Sequence, residues 1–217
     1  MTETGPHQGQ RVAAAGPPLG RSHAVMIMVH GRNAAPENIL DLCGVLDRPG
    51  VTYLAPAAAG GTWYPLSFLA ERSRNEPALS SALRALEELV EQVLAHGIER
   101  RHLLLLGFSQ GACLASEFAA RHPGRYGGVV AFSGGLIGPP GTEWHLPGSF
   151  DGTPVFLGCS DVDAHVPRER VDQTAVVFER MGAEVTRRIY PGMGHLVSPD
   201  EVAFTQALMD RVLVDRS

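Results

Sequence analysis

The chain has 217 residues, 44% of them hydrophobic and 19% charged, with a formal net charge of -5. This length and balance fit one globular α/β domain with a substantial core. The mild negative charge and the lack of a basic cluster give no reason to expect a nucleic-acid partner, and no apolar run approaches the length of a membrane span.

Residues 1–22 are rich in Gly, Pro and Gln, lack the apolar run of a signal peptide, and read as a flexible, loosely held arm before a single domain over 23–217. Residues 24–29 read as the first core strand, followed by His30-Gly31-Arg32-Asn33. A second strand over 51–55 leads into Gly60-Gly61-Thr62-Trp63-Tyr64-Pro65. Residues 77–95 read as a helix with Leu79, Leu83, Leu86, Val90, Val93 and Leu94 on one face and Glu87, Glu88 and Glu91 outside it. The next strand, 102–106, runs into Gly107-Phe108-Ser109-Gln110-Gly111 and a helix over 112–121. A strand at 128–132 precedes an irregular stretch, 134–152, expected above the carboxyl edge of the sheet.

A strand over 154–158 opens into Gly158-Cys159-Ser160-Asp161-Val162-Asp163-Ala164-His165-Val166-Pro167. A helix over 167–181 presents Val171, Ala175 and Phe178 and closes at Gly182. The last strand, 185–190, ends in Tyr190-Pro191-Gly192-Met193-Gly194-His195. Ser198-Pro199-Asp200-Glu201 matches a capping box that starts a final helix, to about Leu213. The strands are continuous apolar runs, as parallel strands buried on both faces are, and helices separate them. The expected architecture is a doubly wound, mostly parallel sheet. Cys43, Cys113 and Cys159 are odd in number, lack metal-like spacing, and read as reduced thiols of a cytoplasmic protein.

Gly-x-Ser-x-Gly between a strand and a helix points to a serine nucleophile held on a strained turn. A serine hydroxyl needs a base within hydrogen-bond reach, and the base needs a third group to fix its tautomer. His195 follows the final strand in a Gly-flanked loop and is the best base. His122 ends the helix after Ser109 and points away. His145 falls in the irregular stretch, and His165 reads as structural or pocket-lining. The acid loop offers Asp161 and Asp163. Asp163 is favoured as the partner of the imidazole, and Asp161 is left to cap the turn or the helix at Pro167. The amides of Gln110 and Arg32 are the candidate oxyanion donors, one at a helix start and one in the loop after the first core strand. The Arg32 guanidinium is either a solvated side chain or a contact for an anionic substrate group. Trp63, Tyr64, Phe68, Leu136, Trp144 and Met193 are the candidate pocket residues.

Four segments together resemble the phospholipase/carboxylesterase family of small α/β-hydrolases, which includes acyl-protein thioesterases. They are Val29-His30-Gly31-Arg32, Gly107-Phe108-Ser109-Gln110-Gly111-Ala112, Asp163-Ala164-His165-Val166-Pro167 and Gly192-Met193-Gly194-His195. The family's acid lies just before a Val-Pro pair, as Asp163 does. Two departures are Asn33 where the family's His-Gly-x-Gly has glycine, and Ala164 where proline is common. The resemblance implies an α/β-hydrolase fold with no large cap domain. It also implies a small-molecule ester substrate and acyl-enzyme hydrolysis without cofactor or metal.

The leading expectation is a serine carboxylesterase for short- to medium-chain esters, a monomer or homodimer without stable membrane insertion. The alternatives are an acyl thioesterase or lysophospholipase of the same family and, from another class, a catalytically silent binding module.

Overall fold

Strands β1 (Val12–Ala15), β2 (Ala24–Val29), β3 (Val51–Pro56), β4 (Leu103–Phe108), β5 (Gly128–Phe132), β6 (Pro154–Ser160) and β7 (Glu184–Tyr190) form one sheet in the order β1-β3-β2-β4-β5-β6-β7. The computed structural model describes residues 5–214. Every pairing is parallel except β1 with β3, which is antiparallel. Along β2, Val25, Ile27 and Val29 enter one apolar cluster, and Ala24, Met26 and Met28 enter another. Leu103 and Leu105 of β4 alternate with Leu104 and Leu106 in the same way. The period-2 geometry of a strand thus explains why these runs are apolar at every position: both faces are covered.

Helices α3 (Ala78–Ala95), α4 (Gln110–Arg121) and α5 (Arg168–Arg180) cover one face, and α1 (Pro36–Leu40), α2 (Cys43–Leu46) and α6 (Pro199–Val214) cover the other. In α3, Leu79, Leu86, Val90 and Val93 are buried while Glu88 and Glu91 are exposed, as the 3.6-residue pattern requires. The capping box of α6 closes reciprocally: the Ser198 N–H donates to Glu201 Oε2 at 2.6 Å, and the Glu201 N–H donates to Ser198 Oγ at 3.2 Å. Together these make an open, seven-stranded, mostly parallel sheet with helices on both faces, the architecture expected of an α/β-hydrolase.

Two expectations give way. Residues expected as a loose arm supply the edge strand β1, whose Ala15 pairs with Tyr53 and whose Val12 pairs with Pro56. Ahead of it, His7 is 3% exposed, accepts the Ala59 N–H at 3.0 Å and bonds the Trp63 carbonyl at 2.9 Å. Residues 7–15 are held in place, with the His7 imidazole satisfying main chain that would otherwise lack partners. The irregular stretch 134–152 does not roof the carboxyl edge but packs along α4 and α5. Glu117 of α4, fully buried, accepts the Ile137 N–H at 3.1 Å. Arg170 of α5 donates to the carbonyls of Leu136 and Gly138, both at 2.8 Å.

Candidate active site

The turn between β4 and α4 is held by close packing. Ser109 has φ 56° and ψ -121°, a conformation that costs a non-glycine residue about 1–3 kcal/mol. A Cβ on Gly107 would lie 2.4 Å from the Gly111 carbonyl oxygen, and one on Gly111 would lie 2.1 Å from that of Val29. The two glycines therefore let α4 cross both β4 and β2 at backbone contact, and the turn between them is forced to present the serine.

Strand register brings the other two loops to the same edge. Phe108 pairs with Phe132, Phe132 with Gly158, and Ser160 with Tyr190. The ladder continues into the loops, with Ser109 N–H on the Phe132 carbonyl at 2.9 Å and Asp161 N–H on that of Tyr190 at 3.3 Å. His195 Nε2 lies 2.8 Å from Ser109 Oγ, and His195 Nδ1 lies 2.7 Å from Asp163 Oδ2. The Asp163 side chain is fully buried. Burial alone would raise its pKa, but bonds from His195 and from the N–H groups of His165 (2.8 Å) and Val166 (3.0 Å) outweigh it and hold the carboxyl below its ordinary value. An ionised carboxylate only accepts, so Nδ1 donates to it, and Nε2 is left to accept from the Ser109 hydroxyl. Asp161 is exposed and accepts the Gly192 N–H at 2.8 Å, so it braces the loop that carries His195 rather than capping α5. The His195 ring packs against Phe108 at 5.0 Å and edge-on to His165 at 4.8 Å.

Ser109 and His195 face a cavity of about 870 Å³. Arg32 and Gln110 both line it beside Ser109. The Gln110 carboxamide accepts the Trp63 N–H at 3.0 Å and donates to the Tyr64 carbonyl at 2.8 Å, so it clamps the loop after β3 and the cavity meets Gln110 as main chain at a helix start. The Arg32 guanidinium donates to the carbonyls of Pro65 (2.8 Å) and Leu66 (2.5 Å), and the Asn33 N–H is taken by the Gly61 carbonyl at 2.8 Å.

Of the expected pocket residues, Tyr64 and Phe68 line this cavity. Four do not. Trp63 is fully buried in the core: its indole N–H donates to the His30 carbonyl at 2.9 Å, and its ring packs between His7 (5.5 Å) and His30 (4.9 Å). Leu136 is core beneath α5. Trp144 lies against the Arg170 guanidinium at 5.0 Å and borders a separate surface cavity with Val176 and Arg180. Met193 is half-buried outside the lining. Phe108, Ile39 and Val166 supply apolar lining that sequence reasoning did not single out. Cys113 also reaches the wall, but burial pushes its thiol up to about 12, so it stays protonated and is no rival nucleophile near neutral pH. Among the described residues no cluster of three or more His, Cys, Asp or Glu side chains is arranged to hold a metal ion.

The family model for phospholipase/carboxylesterase matches residues 17–213. Acyl-protein thioesterase 1 of Eremothecium gossypii is 31% identical over 166 residues, 72% of this chain and 68% of that protein. Acyl-protein thioesterase 1 of Saccharomyces cerevisiae is 34% identical over 125 residues, 56% of this chain and 55% of that protein, so the match spans about half of the yeast enzyme. A crystal structure of a phospholipase/carboxylesterase from Dyadobacter fermentans is 38% identical and superimposes with a TM-score of 0.87 over 94% of this chain and 97% of its own. The chain belongs to the phospholipase/carboxylesterase family of hydrolases.

Proposed function

We propose that the protein is a serine carboxylesterase that hydrolyses short- to medium-chain carboxylic esters through an acyl-enzyme. The observation that carries this reading is the hydrogen-bonded chain Ser109–His195–Asp163, at 2.8 and 2.7 Å, opening on the cavity. Ser109 attacks the ester carbonyl while His195 takes its proton, and buried Asp163 stabilises the imidazolium. The amides of Arg32 and Gln110 receive the oxyanion, each such donor contributing roughly 3–4 kcal/mol to the transition state. His195 then protonates the leaving alcohol and activates water for deacylation. The half-enclosed apolar patch of Tyr64, Phe68 and Phe108 suits a modest acyl chain.

A serine-directed phosphonate is expected to label the native protein and not Ser109→Ala. Equal labelling of both removes the assignment. The second reading, an acyl thioesterase, draws support from the acyl-protein thioesterases among the relatives. Matched oxygen and sulfur esters of one acyl length decide between them: a kcat/KM ratio well above the ratio of their uncatalysed reactivities marks the preferred class. No helix among the described residues is long and apolar enough to cross a membrane. We propose a cytoplasmic protein, because its cysteines Cys43, Cys113 and Cys159 are free thiols.

A further inference from the structure

We infer that the cavity takes esters carrying an anionic group, a carboxylate or a phosphate, seated at the rim formed by Arg32 and Asn38. This rests on the esterase reading above and narrows its substrate class. Although the chain has 23 acidic residues and a net charge of -5, no Asp or Glu lines the cavity. Arg32 does, and its guanidinium is fixed across the rim by the Pro65 and Leu66 carbonyls, which occupy two of its five N–H donors. Among the described residues no carboxylate pairs with it. The nearest acid in sequence, Glu37, is taken at both oxygens by Arg11, at 2.5 and 2.7 Å, and Asp163 is held beneath His195. On the same rim, Asn38 spends its side-chain oxygen on the Ala35 N–H at 2.8 Å, which leaves its NH2 group as a donor.

The rim is therefore a permanent positive charge and a set of donors with no acidic partner, held above an apolar lining. A neutral acyl chain offers these donors nothing. A carboxylate or phosphate supplies the acceptors and the charge, and a guanidinium already locked in place loses little entropy on meeting it.

Two substrate pairs separate the possible positions of the anion. Mono-(4-nitrophenyl) adipate against 4-nitrophenyl hexanoate places it on the acyl end. The pair 4-carboxyphenyl butyrate and phenyl butyrate places it on the leaving alcohol. For at least one pair the native enzyme is expected to favour the anionic ester in kcat/KM by about ten-fold at low salt, the discrimination of one charge-assisted hydrogen bond. That ratio is expected to fall towards unity in Arg32→Gln and to be largely kept in Arg32→Lys. Because each ratio is taken within one protein, general damage to the oxyanion loop cancels. Ratios at or below unity for both pairs in the native enzyme, or a ratio unchanged in Arg32→Gln, overturn the inference and leave the esterase reading standing. Failure to hydrolyse any of the four esters overturns both.

Discussion

Substituting Gly111 by alanine puts a methyl group where α4 crosses β2. Its Cβ would lie 2.1 Å from the Val29 carbonyl oxygen and 2.5 Å from that of His30. An ordinary contact begins near 3.4 Å, so the helix start must retreat by about 1.3 Å. Both obstacles are main chain, one at the end of the central strand β2 and one in the residue just after it, and no flexible side chain can swing aside. Overpacking of this kind costs about 1–3 kcal/mol, and the rigid surroundings place this site at the upper end. At two to four degrees per kcal/mol, Tm is expected to fall by roughly 4–12 °C. The retreat also turns the Gln110 amide away from the position the oxyanion takes, and a misplacement of about 1 Å costs on the order of 10²-fold in rate. Thermal melting and kcat/KM on a nitrophenyl ester read the two effects separately. Gly44→Ala is the control, since no atom lies within 4 Å of its added Cβ. A Gly111→Ala protein with the melting point and kcat/KM of the native enzyme would refute the claim that backbone contact shapes the elbow.

Asp163→Asn is expected to lower kcat by about 10⁴-fold with the fold intact, because the amide stabilises the wrong imidazole tautomer. Asp161→Asn, which only loosens the Gly192 loop, is expected to lose less than about ten-fold; equal losses would contradict the assignment of the acid. Gln110→Ala strands the buried Trp63 N–H and Tyr64 carbonyl and is expected to cost about 2–4 kcal/mol in urea unfolding, whereas a cost near zero would show that the clamp is not needed. Burial lowers the pKa of His7 and of His30 from 6.5, and each accepts a backbone N–H that a protonated ring could not. The unfolded chain then binds more protons just below pH 6.5, so stability is complete above that value and falls as pH drops through it. Tm measured from pH 7.5 to 5.5 is expected to fall, and His7→Gln to fall less steeply. A flat profile, or one unchanged in the variant, would remove this role.

Much of this was legible because it depends on local pattern. Apolar runs with helices between them specified the parallel strands, and Ser198 to Glu201 specified the start of α6. The order of serine, acid and histidine, each just beyond a strand, brought three loops to one edge. What escaped depends on partners far away in sequence. Nothing in Val-Ala-Ala-Ala signals a strand, and β1 forms because β3 offers an open edge while His7 ties down the chain before it. Trp63 sits in a Gly-rich loop that looks exposed, yet the His30 carbonyl draws its indole inside. The position of Trp144 in a Gly- and Pro-rich stretch suggests a pocket wall, and the charge of Arg170 holds it elsewhere. Gln110 was legible as a main-chain donor, but its side-chain clamp spans 46 or 47 residues and no spacing rule reports it.

The central claim is that Ser109 becomes acylated during turnover. Rapid acid quench of the native enzyme with 4-nitrophenyl butyrate, followed by peptide mass spectrometry, tests it directly. The account expects one butyryl group on the peptide spanning Ser109, formed with the burst of nitrophenol and absent in Ser109→Ala. A butyryl group on another residue, or full turnover by Ser109→Ala, would contradict it.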